Sequence, residues 1–328
     1  MSRYDSMALI ESVPNVSEGR RLDVVERMCE DVASVEGVYL LDRTSDASHN
    51  RSVLTMAGES EAVSEALERL VARAVREIDM DEHSGEHPRI GAVDVVPFVP
   101  LGDTTLDECI ELARRFGKRI ADRFELPVYL YAAAATRSDR VKLADVRRGQ
   151  YEGLKAEIGN AGREPDFGPA RIHPSAGAVA VGARPFLIAY NINLGSEDVE
   201  LARRIARRVR ESGGGLPRVQ ANGFEVREPE RGHPLRAQVS MNLLDFTETP
   251  LWLVWETVRD EAAADGVELA ESELIGLAPL ASLVAVADRA GADEHAPVED
   301  RLRVAADFLK LRDFSPLQAL ELRLAAAR

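Results

Sequence analysis

The sequence predicts an α/β protein, more narrowly of the α+β class, made of two similar units in tandem. Three observations support this fold class. Amphipathic helix patterns alternate with short β-rich runs, the order β-α-β-β-α-β found before residue 159 recurs after residue 184, and a glycine- and proline-rich stretch separates the two series. Because this order is that of the ferredoxin-like unit, we expect mainly antiparallel sheets with helices packed on them. At 328 residues the chain can hold two such subdomains, which we place at residues 1–185 and 186–328.

Hydrophobic periodicity and turn signals define the first unit. Its clearest helix covers residues 61–78, where Val63, Leu67 and Leu70 recur at helical spacing and Ser60 can cap the first turn. The predicted elements are a strand at 7–13, a helix over 22–32, strands at 38–41 and 51–57, the helix at 61–78 and a strand at 92–98. An extension follows, with a helix at 105–124, a strand at 128–132 and a polar helix near 141–158.

The second unit repeats this order. A strand at 185–192 precedes a helix that Ser196 can cap, and clear alternation of apolar and polar residues marks a strand at 238–246. The other predicted elements are a strand near 219–226, a helix at 250–264, a strand from 267, and final helices at 281–291, 298–311 and 316–327. Two such lobes joined near Arg184 would leave a cleft between them, the usual place for a small-molecule site.

Composition limits the partners and the compartment. The 41 basic and 56 acidic residues give a formal net charge of −15, which argues against nucleic acid or an anionic membrane as the main partner. The first residues lack a signal-peptide pattern and no apolar run is long enough to span a bilayer, so we expect a cytoplasmic protein. Cys29 and Cys109 fall within helix patterns and are interpreted as reduced core thiols. An α/β enzyme of this size is often a homodimer.

Residues 81–96 carry the densest group of chemically active side chains. Gly85 and Pro88 prevent a helix there, so His83 and His87 lie on a loop between two regular elements. Three roles stay open for these histidines. A metal site is disfavoured because the helix and the following glutamate of the zinc-protease motif are missing. The others are a structural role through hydrogen bonds and general acid/base catalysis, since imidazole titrates near neutral pH.

Other catalytic patterns are absent from the sequence. It contains no phosphate-binding glycine fingerprint, no Gly-x-Ser-x-Gly elbow and no Cys-x-x-Cys pair, which argues against nucleotide, serine hydrolase and thiol chemistry. Group transfer assisted by a histidine is the chemistry that remains. Residues 159–177 contain three prolines and four glycines, which is typical either of a linker or of a binding loop.

Several stretches together resemble one family, the glutamate formimidoyltransferases (formiminotransferases). The matches run in the family's order from near residue 8 to near residue 280, most of the chain. They are residues 13–19 (Val-Pro-Asn-Val-Ser-Glu-Gly), 85–92 (Gly-Glu-His-Pro-Arg-Ile-Gly-Ala), 127–131 (Pro-Val-Tyr-Leu-Tyr), 165–169 (Pro-Asp-Phe-Gly-Pro), 188–194 (Ile-Ala-Tyr-Asn-Ile-Asn-Leu) and 238–246 (Gln-Val-Ser-Met-Asn-Leu-Leu-Asp-Phe).

The resemblance implies two related α/β subdomains and transfer of a formimino group from N-formimino-glutamate to tetrahydrofolate, a step in histidine degradation. It makes His87 the catalytic acid/base, with tetrahydrofolate as co-substrate, small-molecule substrates only and no metal. It places folate binding on the loop formed by Gly168, Pro169, Ala170, Arg171, Ile172, His173, Pro174, Ser175, Ala176 and Gly177. Animal members carry an additional cyclodeaminase domain, and because this sequence ends at Arg328 we expect that activity to be absent or located elsewhere.

The donor and the folate tail both carry carboxylates, so arginines beside the matched segments are candidate partners. The hypothesised partners are Arg51, Arg89, Arg171 and Arg184. Asp42 and Asn50 could orient His87 or the pterin. Two alternatives stay open. One is N-formyl-glutamate as the donor on the same fold, since no residue pattern separates O from NH, and the other is a non-catalytic folate-binding protein.

Overall fold

The computed structural model describes residues 8–228 and 232–328. The chain divides after Pro185 into two compact units, Met1–Pro185 and Phe186–Arg328, which we call the N-terminal and C-terminal units. Met7, the first residue of the first predicted strand, lies outside the described residues. Within the two described ranges, no helix combines the length and the apolar character needed to cross a membrane.

The N-terminal unit is a mixed sheet with helices on both faces. Its strands are β1 (Leu9–Ser12), β2 (Asn15–Val16), β3 (Val38–Asp46), β4 (Arg51–Glu59), β5 (Val93–Leu101), β6 (Val128–Ala132) and β7 (Val179–Ala183). Its α-helices are α1 (Leu22–Ala33), α2 (Ser60–Glu77), α3 (Leu106–Phe124), α4 (Leu143–Val146) and α5 (Gln150–Glu157).

The strands follow the order β3, β4, β1 with β2, β5, β7 and β6 across the sheet. Strands β1 and β2 are two halves of one strand. The strand is interrupted at Pro14 because proline has no N–H to donate to the ladder. From β3 to β5 every pair is antiparallel. This part of the sheet, with α1 and α2, confirms the predicted ferredoxin-like unit.

Strand β7 is not predicted from the sequence. It runs parallel to both β5 and β6, with Ala180 opposite Val95 and Val181 opposite Leu130. All five of its residues are buried, because helices cover both faces of this part of the sheet. A strand buried on both faces shows no alternation of apolar and polar residues, so periodicity does not reveal it. Since β7 belongs to the N-terminal unit, interpreting residues 159–177 as a linker between units is wrong.

Two apolar clusters occupy the two faces of the sheet. The larger one packs α1, α2 and α3 against the strands and includes Phe98 of β5 and Phe116 of α3, whose ring centroids are 5.5 Å apart. Burying one such ring contributes roughly 1.5–3 kcal/mol. On the other face, Leu154 of α5 packs with Ile90 and Val95. The end of the loop before β5 is therefore held by the core.

Sequence signals locate one helix start correctly and miss another. Thr105 forms a capping box at the start of α3, since its hydroxyl accepts from the Glu108 N–H at 3.2 Å and the Glu108 carboxylate accepts from the Thr105 N–H at 2.7 Å. The prediction that Ser60 caps α2 is wrong. Ser60 is the first residue of that helix, and Glu59 occupies the cap position without a side-chain hydrogen bond.

Both cysteines are free and buried, in α1 and α3, as predicted. Burial raises the pKa of Cys109 to about 12, and it also raises the pKa of Cys29. Because the thiolate is the reactive form of cysteine, neither side chain is suited to act as a nucleophile at neutral pH.

The C-terminal unit has one antiparallel sheet, with strands in the order β11, β8, β10 and β9. Its elements are β8 (Ile188–Leu194), α6 (Val199–Val209), β9 (Val219–Glu228), β10 (His233–Leu243), α7 (Leu251–Ala264), β11 (Leu269–Ile275), α8 (Leu280–Arg289), α9 (Val298–Phe308) and α10 (Leu320–Ala327). This strand order confirms the second ferredoxin-like unit. Asp198 caps α6 by accepting from the Leu201 N–H, so the prediction of Ser196 as the cap is wrong.

Candidate active site

The segment 81–92, which we call the His loop, joins α2 to β5 without helical structure, as predicted. Asn50 ties it to a second segment of the chain. The Nδ2 of Asn50 donates to the Ser84 carbonyl at 3.1 Å, while its Oδ1 accepts from the Gly19 N–H at 3.0 Å. The Asn50 carbonyl also lies 3.0 Å from Nε2 of His83. Asn50 therefore holds the His loop through Ser84 and His83.

The segment 13–19, the first of the matched stretches, packs against the end of the His loop. The hydroxyl of Ser17 donates to the Gly91 carbonyl at 2.7 Å. Glu18 is buried, and its carboxylate accepts from the N–H of Arg21 at 2.8 Å and from the Arg21 guanidinium at 2.5 Å. Burial raises the pKa of Glu18, but hydrogen bonds from the Arg21 and neighbouring backbone outweigh it and the pKa is lowered overall. The segment 13–19 thus supports the loop rather than supplying a free acid.

His87 lies partly buried on the His loop, next to positive charge. Burial lowers the pKa of His87 to about 3, and the charges of Arg51, Arg147 and His49 add to the effect. The ring of His49 stands edge-on to that of His87, with centroids 6.2 Å apart and planes at 82°. His87 is therefore neutral at physiological pH, the state that a general base requires.

Arg51 and Arg147 form the positive side of this site. Arg147 pairs with the carboxylate of Asp94, which is fully buried and also accepts from the Ile90 N–H at 2.9 Å. Arg51 lies at the start of β4. Its guanidinium makes no hydrogen bond or ion pair with any residue that the structure describes, and its Nε is buried. Burial and the charge of Arg147 lower the pKa of Arg51. A guanidinium in this position is suited to receive a carboxylate from a ligand.

His83 and Arg89 are both hydrogen-bonded within the protein. The Nδ1 of His83 accepts from Nε of Arg89 at 3.2 Å, and its Nε2 contacts the Asn50 carbonyl, so both ring nitrogens are engaged within the protein. Burial lowers the pKa of His83. Arg89 is buried and makes two hydrogen bonds to the carboxylate of Glu152, at 2.6 and 2.9 Å. Its guanidinium is already occupied, which makes Arg89 a poor candidate for binding a substrate carboxylate.

The loop formed by residues 168–177, which we call the glycine loop, is hydrogen-bonded to the His loop. The Ala92 N–H donates to the Ala176 carbonyl at 2.9 Å, and the Ala178 N–H donates to the Ile90 carbonyl at 3.0 Å. Gly91 and Gly177 pair across this contact. The two stretches that the sequence analysis singled out, 81–92 and 168–177, are therefore adjacent in the fold.

The interior of the glycine loop is ordered by His173. Its Nδ1 accepts from the N–H groups of Ser175 and Ala176, at 3.3 and 3.0 Å, and Ile172 packs against both apolar clusters. The exposed residues of the loop are Gly168, Ala170, Arg171 and Pro174, the partly buried ones are Pro169, Ile172, His173 and Ser175, and the buried ones are Ala176 and Gly177. An ordered loop with an exposed tip is suited to bind a ligand.

The remaining predicted residues lie in different surroundings. Arg171 is exposed and pairs with Glu125 at 2.8 Å. Arg184 follows β7 and contacts Tyr131, a buried side chain of β6. Burial raises the pKa of Tyr131, and the charges of Arg184 and Arg147 oppose that rise, so these two arginines share one neighbour. Asp42 lies in β3 opposite Thr55.

Sequence reasoning misses Arg147 and His49. The helix predicted near 141–158 is interrupted at Gly149, whose φ of +80° does not fit a continuous helix, and Arg147 lies in the turn that results. His49 occupies the turn between β3 and β4, next to Asn50, which the sequence analysis did consider. No sequence pattern near either residue predicts its position beside His87, because segments that are distant along the chain come together only in the fold.

The matched segments of the C-terminal unit fall on neighbouring strands. Residues 188–194 form β8, and residues 238–246 begin within β10. The buried Asn193 and Gln238 bond to each other at 2.9 Å. They also reach the carboxylates of β11, since Asn193 donates to Glu271 at 3.2 Å and Gln238 donates to Glu273 at 3.2 Å. This network accounts for the buried Asn193 and Gln238 of the two segments through hydrogen bonding within one sheet.

Comparison with known proteins identifies the family. Two family models match, "Formiminotransferase domain, N-terminal subdomain" over residues 9–184 and "Formiminotransferase domain" over residues 189–322. A glutamate formimidoyltransferase of Streptococcus pyogenes is 43% identical over 280 residues, 85% of this chain and 92% of that protein. One from Thermoplasma acidophilum is 44% identical over 92% of this chain and 100% of that protein. The formimidoyltransferase-cyclodeaminase of Rattus norvegicus is 40% identical over 95% of this chain, which spans 58% of that protein. The chain belongs to the formiminotransferase family, as the resemblance of its sequence motifs implied.

Proposed function

We propose that this protein transfers the formimino group of N-formimino-L-glutamate to tetrahydrofolate, with His87 as general acid/base. The observation that carries the roles is a partly buried imidazole on a loop hydrogen-bonded to the glycine loop, and its pKa is lowered first by burial and then by the charges of Arg51 and Arg147. Family membership supports the reaction. The product pair is 5-formiminotetrahydrofolate and L-glutamate, a step of histidine degradation and one-carbon metabolism.

The reaction needs two proton transfers. The N5 nitrogen of tetrahydrofolate attacks the amidine carbon of the donor and loses a proton, and the nitrogen of glutamate gains one as it leaves. Neutral His87 is suited to accept the first proton and, in the simplest scheme, to return it. A positioned acid/base of this kind contributes about a hundred- to ten-thousand-fold to the rate, and holding both substrates together contributes further.

The arginines couple binding to catalysis. In the free protein, the charges of Arg51 and Arg147 help to lower the pKa of His87. A donor carboxylate bound at Arg51 would neutralise part of that charge, so the pKa of His87 would rise and the imidazole would become a stronger base. We therefore assign Arg51 and Arg147 as partners of the donor carboxylates, with Arg184 close to the same group of side chains through Tyr131.

The glycine loop is assigned to tetrahydrofolate, with residues 168–177 as the binding segment. Its support is the contact with the His loop together with the exposed tip, both present in one ordered structure. We assign the subdomains to residues 1–185 and 186–328, a cytoplasmic location, and small molecules rather than nucleic acid or a membrane as partners. No role is assigned to a metal, and a homodimer is the assembly to test by light scattering.

The assay that tests this function uses tetrahydrofolate with each of two donors, N-formimino-L-glutamate and N-formyl-L-glutamate. We expect 5-formiminotetrahydrofolate and free glutamate from the first donor. Turnover with the formyl donor alone would change the donor but keep the fold and the roles. Binding of tetrahydrofolate without turnover of either donor would identify a folate-binding protein instead.

Arg51→Met is expected to raise the KM for formimino-glutamate by roughly tenfold to a hundredfold, because one charged hydrogen bond to a carboxylate contributes about 1.5–3 kcal/mol. The same change should raise the pKa of His87, since a nearby positive charge is removed. A base loses activity as pH falls through its pKa, so the acidic limb of kcat/KM should move to higher pH in the variant.

The control for Arg51→Met is Arg114→Met, which removes an exposed arginine that pairs with Glu111 on α3. Steady-state kinetics at several pH values measure both effects. If the KM for formimino-glutamate and the acidic limb of kcat/KM were the same in Arg51→Met as in Arg114→Met, Arg51 would neither bind the donor nor set the pKa of His87.

A further inference from the structure

His49 lies beside His87 but in different electrostatic surroundings. The Nδ1 of His49 is 2.9 Å from Oδ2 of Asp46, off the line of a hydrogen bond, so the contact is an ion pair when the imidazole is protonated. The backbone contact with His49 and the imidazole together lower the pKa of Asp46, which is therefore a carboxylate. Thus burial and two arginines act on His87, whereas the nearest charged group to the His49 ring is the carboxylate of Asp46, which lies opposite Arg51 across β3 and β4.

The imidazole of His49 is not needed for the turn that carries it. The turn is closed by the backbone N–H of His49, which donates to Oδ1 of Asp46 at 2.8 Å. The His49 side chain is 43% exposed, so it fills no core space. Its Nε2 makes no hydrogen bond with any residue in the described part of the chain, and the ring stands 6.2 Å from His87. A polar ring held beside the base without a structural task points to a role in the reaction.

We propose that His49 is a second catalytic residue, the general acid that protonates the departing glutamate nitrogen, with Asp46 as its positioning residue. This inference rests on the proposed formimino transfer. Two titratable groups whose surroundings favour opposite protonation states are the usual pattern of an acid and a base sharing one reaction. The carboxylate of Asp46 lies 2.9 Å from Nδ1 of His49, whereas burial first, and then the charges of Arg51 and Arg147, lower the pKa of His87.

The step balances without any further reactant. The N5–C bond forms, the C=N electron pair moves onto the imino nitrogen, and the N5 proton passes to His87. The C=N bond then re-forms, the bond to glutamate breaks with its electron pair staying on nitrogen, and that nitrogen takes a proton from His49. One proton has moved from N5 to glutamate, and transfer from His87 to His49, directly or through one water, restores both rings.

The test is the single-turnover rate as a function of pH for wild type, His49→Gln and Asp46→Asn, with formimino-glutamate and tetrahydrofolate. His49→Gln is expected to lower the rate about a hundredfold and to remove the alkaline limb, because an acid must be protonated to act. The acidic limb, which belongs to His87, should stay. Asp46→Asn should move the alkaline limb to lower pH, since the protonated ring loses its carboxylate.

The matched control is Asp23→Asn, which removes an exposed carboxylate paired with Arg27 on α1 and should change neither limb. A wild type without turnover would overturn the proposed function itself. An active wild type whose His49→Gln variant keeps its rate and alkaline limb would overturn only the role of His49. A slow His49→Gln variant with both limbs intact would also overturn it, because the ring would then affect the rate without donating a proton.

Discussion

Replacing His87 with alanine is expected to lower the single-turnover rate of formimino transfer by about a hundred- to ten-thousand-fold. The reason is that the change removes the proton acceptor for N5 while leaving Arg51 and the glycine loop in place. The KM for both substrates should change little, because His87 is assigned to no binding contact. The loss should appear in kcat and in kcat/KM alike, which marks an interaction made in the transition state.

The control for His87→Ala is His295→Ala, which removes an exposed imidazole on the segment between α8 and α9. Both variants should unfold at the same denaturant concentration as wild type, since His87 is only partly buried. A His87→Ala protein as active as the His295→Ala protein would remove His87 from the mechanism. A large rise in KM with an unchanged kcat would make it a binding residue instead.

The element order can be predicted because the hydrophobic period differs sharply between helix and strand. In α2 the buried residues recur at helical spacing, and in β10 the buried apolar residues alternate along the strand, so the pattern of each segment predicts its type. Strand β7 marks the limit of that reasoning. Its residues Val-Ala-Val-Gly-Ala are small, apolar and buried on both faces, so its place in the sheet is set by β5 and β6, not by its own pattern.

The residues of the candidate site divide in the same way, into those that a nearby sequence pattern predicts and those that only the fold brings to the site. Gly85 and Pro88 mark the His loop within the sequence itself, so both of its histidines are located without the fold, and the family resemblance selects His87 as the catalytic candidate. Arg147 reaches the site only through its ion pair with Asp94, 53 positions away along the chain, and no pattern near residue 147 predicts that contact. Arg89 shows the converse limit, since a matched motif does not reveal that Glu152 already pairs with its guanidinium, and its role toward a substrate stays a prediction.

Gly91→Ala is expected to destabilise the N-terminal unit by about 3 kcal/mol and to raise the KM for tetrahydrofolate. A Cβ at Gly91 would lie 1.9 Å from the Ala178 carbonyl oxygen and 2.6 Å from the Ala176 carbonyl oxygen. Both are backbone atoms that cannot rotate away, so the His loop and the glycine loop would have to separate. The hydrogen bonds between Ala92 and Ala176, and between Ala178 and Ile90, would then weaken. Denaturant unfolding and steady-state kinetics measure the two effects.

The matched control is Gly153→Ala in α5, where a Cβ meets nothing within 4 Å. That change should stabilise the protein by about 0.5–1 kcal/mol, because alanine loses less backbone entropy than glycine in a helix. If Gly91→Ala lowered stability but left the KM for tetrahydrofolate unchanged, the contact at Gly91 would be structural and the glycine loop would bind folate independently of it. If both quantities matched the Gly153→Ala protein, the two loops would not be in contact in solution. Only a joint change in stability and KM supports a folate loop held in place by the loop that carries His87.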